Sequence, residues 1–146
     1  MKFKGTKREM TQIFENTGRV IPVTVVDVID EIEFEKIQEN SKVNISGRTI
    51  GRGFAGAVKR YGFSGGPKTH GQSDRHRAVG SVGAGTAPGR VFKGKRLPGH
   101  YGNKIKTIMG VTVVAVNKKS KQIIVSGSVP GSKKNVLTIE IKENEG

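Results

Sequence analysis

The sequence predicts a mainly β fold, a small barrel or sandwich, interrupted by a long basic glycine-rich loop. Three observations predict it. Five or six short stretches carry β-type patterning, and no long helical period is present. The formal net charge is +14, but residues 47–107 hold 13 of the 26 Lys/Arg and only one acid, Asp74. The same segment holds 15 of the 21 glycines and all three histidines.

The β elements are read in chain order. "RVIPVTVVDVID" is rich in β-branched residues, and Val23, Val25 and Ile21 are read on one face. Pro22 marks a strand start or an edge, because proline cannot donate to a ladder. "EIEFEKIQEN" reads as either a short helix or a strand. "SKVNIS" alternates over a short span. "IMGVTVVAVN" and "KQIIVSGSV" flank "NKKSK", a hairpin turn. "VPGS" is a turn signal, and "NVLTIEI" alternates again. The domain reading is therefore a β body of residues 1–46 and 108–146, with an internal arm of residues 47–107.

The arm fits neither a helix nor a strand template. A segment this long without structure of its own is functional or takes its fold from a partner. Arg and Lys neutralise phosphates. Phe54, Tyr61, Phe63, Phe92 and Tyr101 are interleaved among the charges and suit local packing or base stacking. "PGRVFKGKRLPGHYGNKIK", from Pro88 to Lys106, has six cations, four glycines and no carboxylate. The expected partner is nucleic acid, with an anionic membrane surface second. RNA is favoured over DNA, since no helix-turn-helix, zinc finger or basic helix is visible.

Other classes are excluded on chemistry. The chain has no cysteine, so disulfides, thiolate zinc sites and cysteine nucleophiles are absent. "GRGFAGAV" matches a dinucleotide glycine pattern, but the residues after it lack the pattern of an amphipathic helix and no acid stands at a later strand end. "GFSGGPKT" resembles a phosphate loop, yet Pro67 removes a backbone donor where that loop needs one. His70, His76 and His100 have only Asp74 as a nearby carboxylate, too few groups for a metal site. Ser73, Asp74 and His76 are too close in sequence for a catalytic triad. No enzyme activity, cofactor, metal or small-molecule substrate is expected. No apolar run approaches the ~20 residues of a membrane span, and "MKFKGTKREM" lacks the apolar stretch of a secretory signal.

The motifs "GRGFAGAVKRYGF", "THG", "SDRHRAVGSVG" and "PGRVFKGKRLPGHYGN", in this order from Gly51 to Asn103, resemble the bacterial form of the large-subunit ribosomal protein three family. "GTKREMTQIF" is similar to the family's first strand, "IPVTVVDV" to its second, and "VSGSVPG" to a late strand and turn. The resemblance implies a β-barrel body, here reduced or open, and a long loop that reaches through ribosomal RNA toward the peptidyl transferase centre. It implies a structural, non-catalytic constituent of the cytoplasmic ribosome that binds large-subunit rRNA, aids assembly and touches neighbouring ribosomal proteins. A standalone RNA-binding protein or RNA chaperone using the same arm is the alternative.

Carried over by position, the rRNA-binding candidates are Lys7, Arg48, Arg52, Lys59, Arg60, Lys68, His70, Arg75, His76, Arg77, Arg90, Lys93, Lys95, Arg96, His100, Lys104 and Lys106. Gly80, Ser81, Val82, Gly83, Ala84, Gly85, Thr86, Ala87 and Pro88 form the implied loop tip. Three departures from the family stand out. Several dozen residues that the family carries between the second strand and the arm are missing. Glu9 replaces a glycine. Ala84 stands where some bacterial members carry a methylated glutamine.

Overall fold

The computed structural model describes residues 1–15 and 17–141. The strands are β1 (Lys2–Phe14), β2 (Val20–Val28), β3 (Lys42–Arg48), β4 (Phe54–Ala55), β5 (Gly99–His100), β6 (Ile105–Asn117), β7 (Gln122–Ser126) and β8 (Val136–Ile141). One short helix, α1, spans Ala57–Tyr61. The chain divides into two compact units, one of Met1–Ile50 with the chain from Asn103 onward, the other of Gly51–Gly102.

The first unit is a closed barrel with strand order β1-β2-β7-β6-β3-β8. Every neighbouring pair is antiparallel, and β8 returns to β1 with Phe3 opposite Ile139. The open alternative is thereby corrected: a connection of only 13 residues, 29–41, from β2 to β3 still lets the ladder close. Closure removes exposed sheet edges.

The core is aliphatic. Ile45, Ile123, Leu137, Ile139, Val26, Val43, Val113 and Val125 are essentially fully buried, with Phe3 beside them. Burying each such side chain stabilises by about 1.5–3 kcal/mol. Two inward positions carry no side chain because a small barrel has no room for one. A Cβ on Gly5 would stand 2.6 Å from Val26 Cγ1, and one on Gly47 2.6 Å from Leu137 Cδ2. A bulge interrupts β6, where its register with β3 shifts between Val43 and Ile45. Gly110 takes the left-handed conformation there, with φ 71°, and its N–H donates to Asn44 Oδ1 at 3.1 Å.

Several sequence expectations change in detail. In β2 the inward row is Thr24, Val26 and Val28, while Val25 and Ile21 are only half-buried. Val23 is buried but stands outside the main core cluster. Both faces of β2 carry β-branched residues, so composition cannot fix which parity points inward. "EIEFEKIQEN" takes the helical alternative only briefly, as a three-residue 3-10 helix at Phe34–Lys36, and forms no strand. Ile37 is buried, and Ile32 and Phe34 pack on the core. The hairpin expected at "NKKSK" joins β6 to β7, with Asn117 opposite Gln122. β3 and β6 stay paired out to Arg48 and Ile105, so the barrel ladder runs a few residues past the boundaries read from charge.

Candidate nucleic-acid interface

The Gly51–Gly102 unit is built around a two-stranded pairing and a helical turn. β4 pairs β5 with Phe54 opposite His100 and Ala55 opposite Gly99. The two rings meet edge to face, centroids 6.1 Å apart. Helix α1 ends because Gly62 turns left-handed, φ 74°, and its N–H caps the Val58 carbonyl at 3.0 Å. Among the described residues of this unit, the only buried hydrophobic side chains are those of Ala55 and Ala57. Two methyl groups are no hydrophobic core. Polar and main-chain contacts hold the segment instead.

Arg60 is the centre of those contacts. Its Nη1 donates to the Leu97 carbonyl oxygen at 2.8 Å, and its guanidinium lies 5.0 Å from the centre of the Tyr61 ring. Arg96 approaches the same ring at 5.9 Å. Gly99 has to be glycine for this arrangement, since a Cβ there would sit 2.6 Å from Arg60 Nη1. A second close approach joins two loops. The Gly66 N–H donates to the His76 carbonyl oxygen at 2.9 Å, and His76 Nδ1 lies 3.1 Å from the Pro67 oxygen. A Cβ on Gly65 would collide with the His76 oxygen.

The charges are exposed and unneutralised. This unit holds ten Lys/Arg and one acid. Among the described residues, the three ion pairs are Arg8–Asp27, Lys36–Glu33 and Lys133–Glu9, all in the barrel unit. Asp74 joins none of them. Arg52, Lys59, Lys68, His70, Arg75, Arg77, Arg90, Lys93, Lys95, Arg96 and His100 are all exposed. His76 and Arg60 are half-buried and bound within the unit. Residues 80–88 are exposed throughout, with a local turn in which Ser81 Oγ donates to the Gly83 oxygen at 2.9 Å.

Three candidates lie in the barrel unit with outward side chains. Lys104 and Lys106 are exposed. Arg48 donates from Nη1 to the Asn103 backbone oxygen at 3.1 Å and to Asn103 Oδ1 at 3.2 Å. Lys7 is a correction. It is 9% exposed, and its ammonium donates to the Val129 oxygen at 3.0 Å and the Gly131 oxygen at 2.9 Å. Burial lowers its pKa from the ordinary lysine value. A cation held this way ties strand to loop and is not offered to a phosphate. Its place in the β1 alternation, Phe3–Gly5–Lys7, is the signal that points it inward. Sequence reasoning also passed over Gln72. This side chain is half-buried beside Gly66, and nothing in its sequence context marks it.

The chain thus combines a closed β-barrel unit with a cation-rich, glycine-rich unit. The family described as "Ribosomal protein L3" matches residues 4–123. The chain belongs to the ribosomal protein L3 family. Relatives of this family include the large ribosomal subunit protein uL3 of Dehalococcoides mccartyi, 46% identical over 118 residues, which cover 81% of this chain and 58% of the relative. The uL3 of Herpetosiphon aurantiacus is 48% identical over 77% of this chain and 53% of its own. That of a Synechococcus species is 42% identical over 94% of this chain and 65% of its own. The chain thus spans rather more than half the length of these ribosomal protein L3 relatives.

Proposed function

We propose that this chain is a structural constituent of the large ribosomal subunit that binds its rRNA chiefly through Gly51–Gly102. The observation that carries the reading is the makeup of that unit, with two buried alanines for a core and ten cations against one acid. Such a segment gains little by burying itself and much by neutralising phosphates. Its backbone-only positions suit narrow gaps between RNA strands. On this reading residues 47–107 act as an arm that penetrates rRNA, and residues 1–46 and 108–146 form the body. Gly80–Pro88 is the tip near the peptidyl transferase centre. The chain supports subunit assembly, acts in the cytoplasm on the ribosome and meets neighbouring large-subunit proteins there. It performs no catalysis of its own. Family membership and relatives named as large-subunit proteins support this reading.

The test is gradient sedimentation of a native lysate after a high-salt wash, with the chain followed by mass spectrometry. We expect about one copy per large subunit that survives the wash. A chain that washes off or sediments alone would overturn the proposal in favour of a standalone RNA-binding protein.

A further inference from the structure

Within the Gly51–Gly102 unit lies an open pocket of about 430 Å³, a volume in the range of small-ligand sites. Phe63, Gly65, Gly66, Gln72, Arg75 and Val79 are among its lining residues. We propose that this pocket seats a single unstacked nucleobase of the bound RNA. The inference rests on the reading of this unit as an RNA-binding segment, and it names one specific contact within it.

Three features of the pocket suit a base. First, one wall is aromatic. Phe63 is half-buried and steadied by Tyr61, ring centroids 6.2 Å apart at 41°. The two rings are tilted and do not stack on each other, so Phe63 stays in the wall as a platform for a planar ligand. Second, part of the lining is built from backbone. Gly66 and Gly65 are pressed against the carbonyls of Arg75 and His76, and a Cβ on Gly66 would stand 2.6 Å from the Arg75 oxygen. That close packing closes the loop 64–67 onto 75–77 and shapes the cavity. Third, the polar groups are uncommitted. Among the described residues, neither the Gln72 amide nor the Arg75 guanidinium has a hydrogen-bond partner or an ion-pair partner. An amide carries a donor and an acceptor on one edge, which matches the edge of a base. Arg75 is exposed and supplies a cation for the attached phosphate.

The reading differs from general charge attraction in a measurable way. Phosphate contacts set the salt dependence, whereas a stacked base adds affinity that salt does not erase. The experiment is binding of the intact chain to a full-length large-subunit rRNA transcript over a series of salt concentrations, together with ultraviolet crosslinking. Phe63→Leu keeps apolar bulk and removes the ring. It is expected to weaken binding about 5- to 150-fold at every salt, with the slope unchanged. The wild-type chain is expected to yield a one-nucleotide adduct on the peptide holding Phe63. Gln72→Ala, which breaks no hydrogen bond among the described residues, covers the case in which Phe63→Leu disturbs the unit. It is expected to lose affinity several-fold with the same slope.

Wild-type affinity in both variants and no adduct would overturn the pocket while leaving the RNA-binding reading in place. A wild-type chain with no salt-dependent rRNA binding would overturn both. Saturable binding of free nucleoside monophosphates to the chain without RNA, lost in Phe63→Leu, would overturn RNA as the source of the base.

Discussion

The Lys7 ammonium donates to the carbonyl oxygen of Gly131 at 2.9 Å, fastening strand β1 to the loop between β7 and β8. The main chain adds to this fastening. Lys7 N–H donates to the Asn135 oxygen at 2.9 Å, and Lys134 N–H donates to the Lys7 oxygen at 2.7 Å. The "VPGS" turn supplies two acceptors, Val129 and Gly131, that point at one inward lysine. A residue that the family resemblance counts among the RNA-facing cations is therefore part of how the barrel is held together.

Replacing Lys7 by Met keeps the aliphatic stem and removes both donors. Two carbonyl oxygens then lose their partner, and the expected loss of stability is about 1–3 kcal/mol. Chemical denaturation monitored by circular dichroism measures it. The slope of rRNA affinity against salt should not change, because Lys7 neutralises no phosphate in this arrangement.

The same lysine makes a specific contribution to pH dependence. Its pKa is lowered in the folded state by burial, so the unfolded chain binds the proton more tightly. Its contribution to stability should therefore rise with pH between the lowered folded value and the ordinary lysine value near 10.5. Below that window it contributes no slope. Lys7→Met should lack this rise, and the difference between the two stability–pH curves isolates it from the other titrating groups.

The Arg60–Gly99 arrangement predicts a non-additive pair. Gly99→Ala places a methyl 2.6 Å from Arg60 Nη1, so the guanidinium must shift and its bond to Leu97 is lost. The loss is about 0.5–1.5 kcal/mol, that of one hydrogen bond. In an Arg60→Ala background the three atoms nearest that methyl are gone, and the same substitution should cost markedly less. Hydrogen exchange of amides in α1 and β5 reads the local stability. Full additivity would mean that Arg60 and Gly99 do not share this contact.

Exposed cations should behave differently from Arg60. Arg75→Gln and Arg77→Gln, taken singly, should each lower the slope of log affinity against log salt by roughly 0.7–0.9, one phosphate contact apiece. They should leave the melting of the barrel unchanged, since neither side chain has a partner among the described residues. Salt-titrated binding to the rRNA transcript is the measurement.

Much of this protein is legible in one dimension. The β-branched runs, the "NKKSK" hairpin and the alternation of "NVLTIEI" are local consequences of strand geometry, and they appear as strands β2, β7 and β8 and the turn before β7. The concentration of charge and glycine between the two halves of the barrel is likewise a property of the sequence, because charge and backbone freedom belong to single residues. What required the tertiary structure is everything that depends on which groups meet. Whether β8 returns to β1, and so whether the barrel is closed, is decided by pairing between residues more than a hundred positions apart. The inward parity of β2 is set by its neighbours, since both of its faces are apolar. Arg60 looks like any other cation in the sequence, and Lys7 is marked only by its place in the Phe3–Gly5–Lys7 alternation. Only the carbonyls of Gly131 and Leu97, brought to them by the fold, turn them from surface charge into structure.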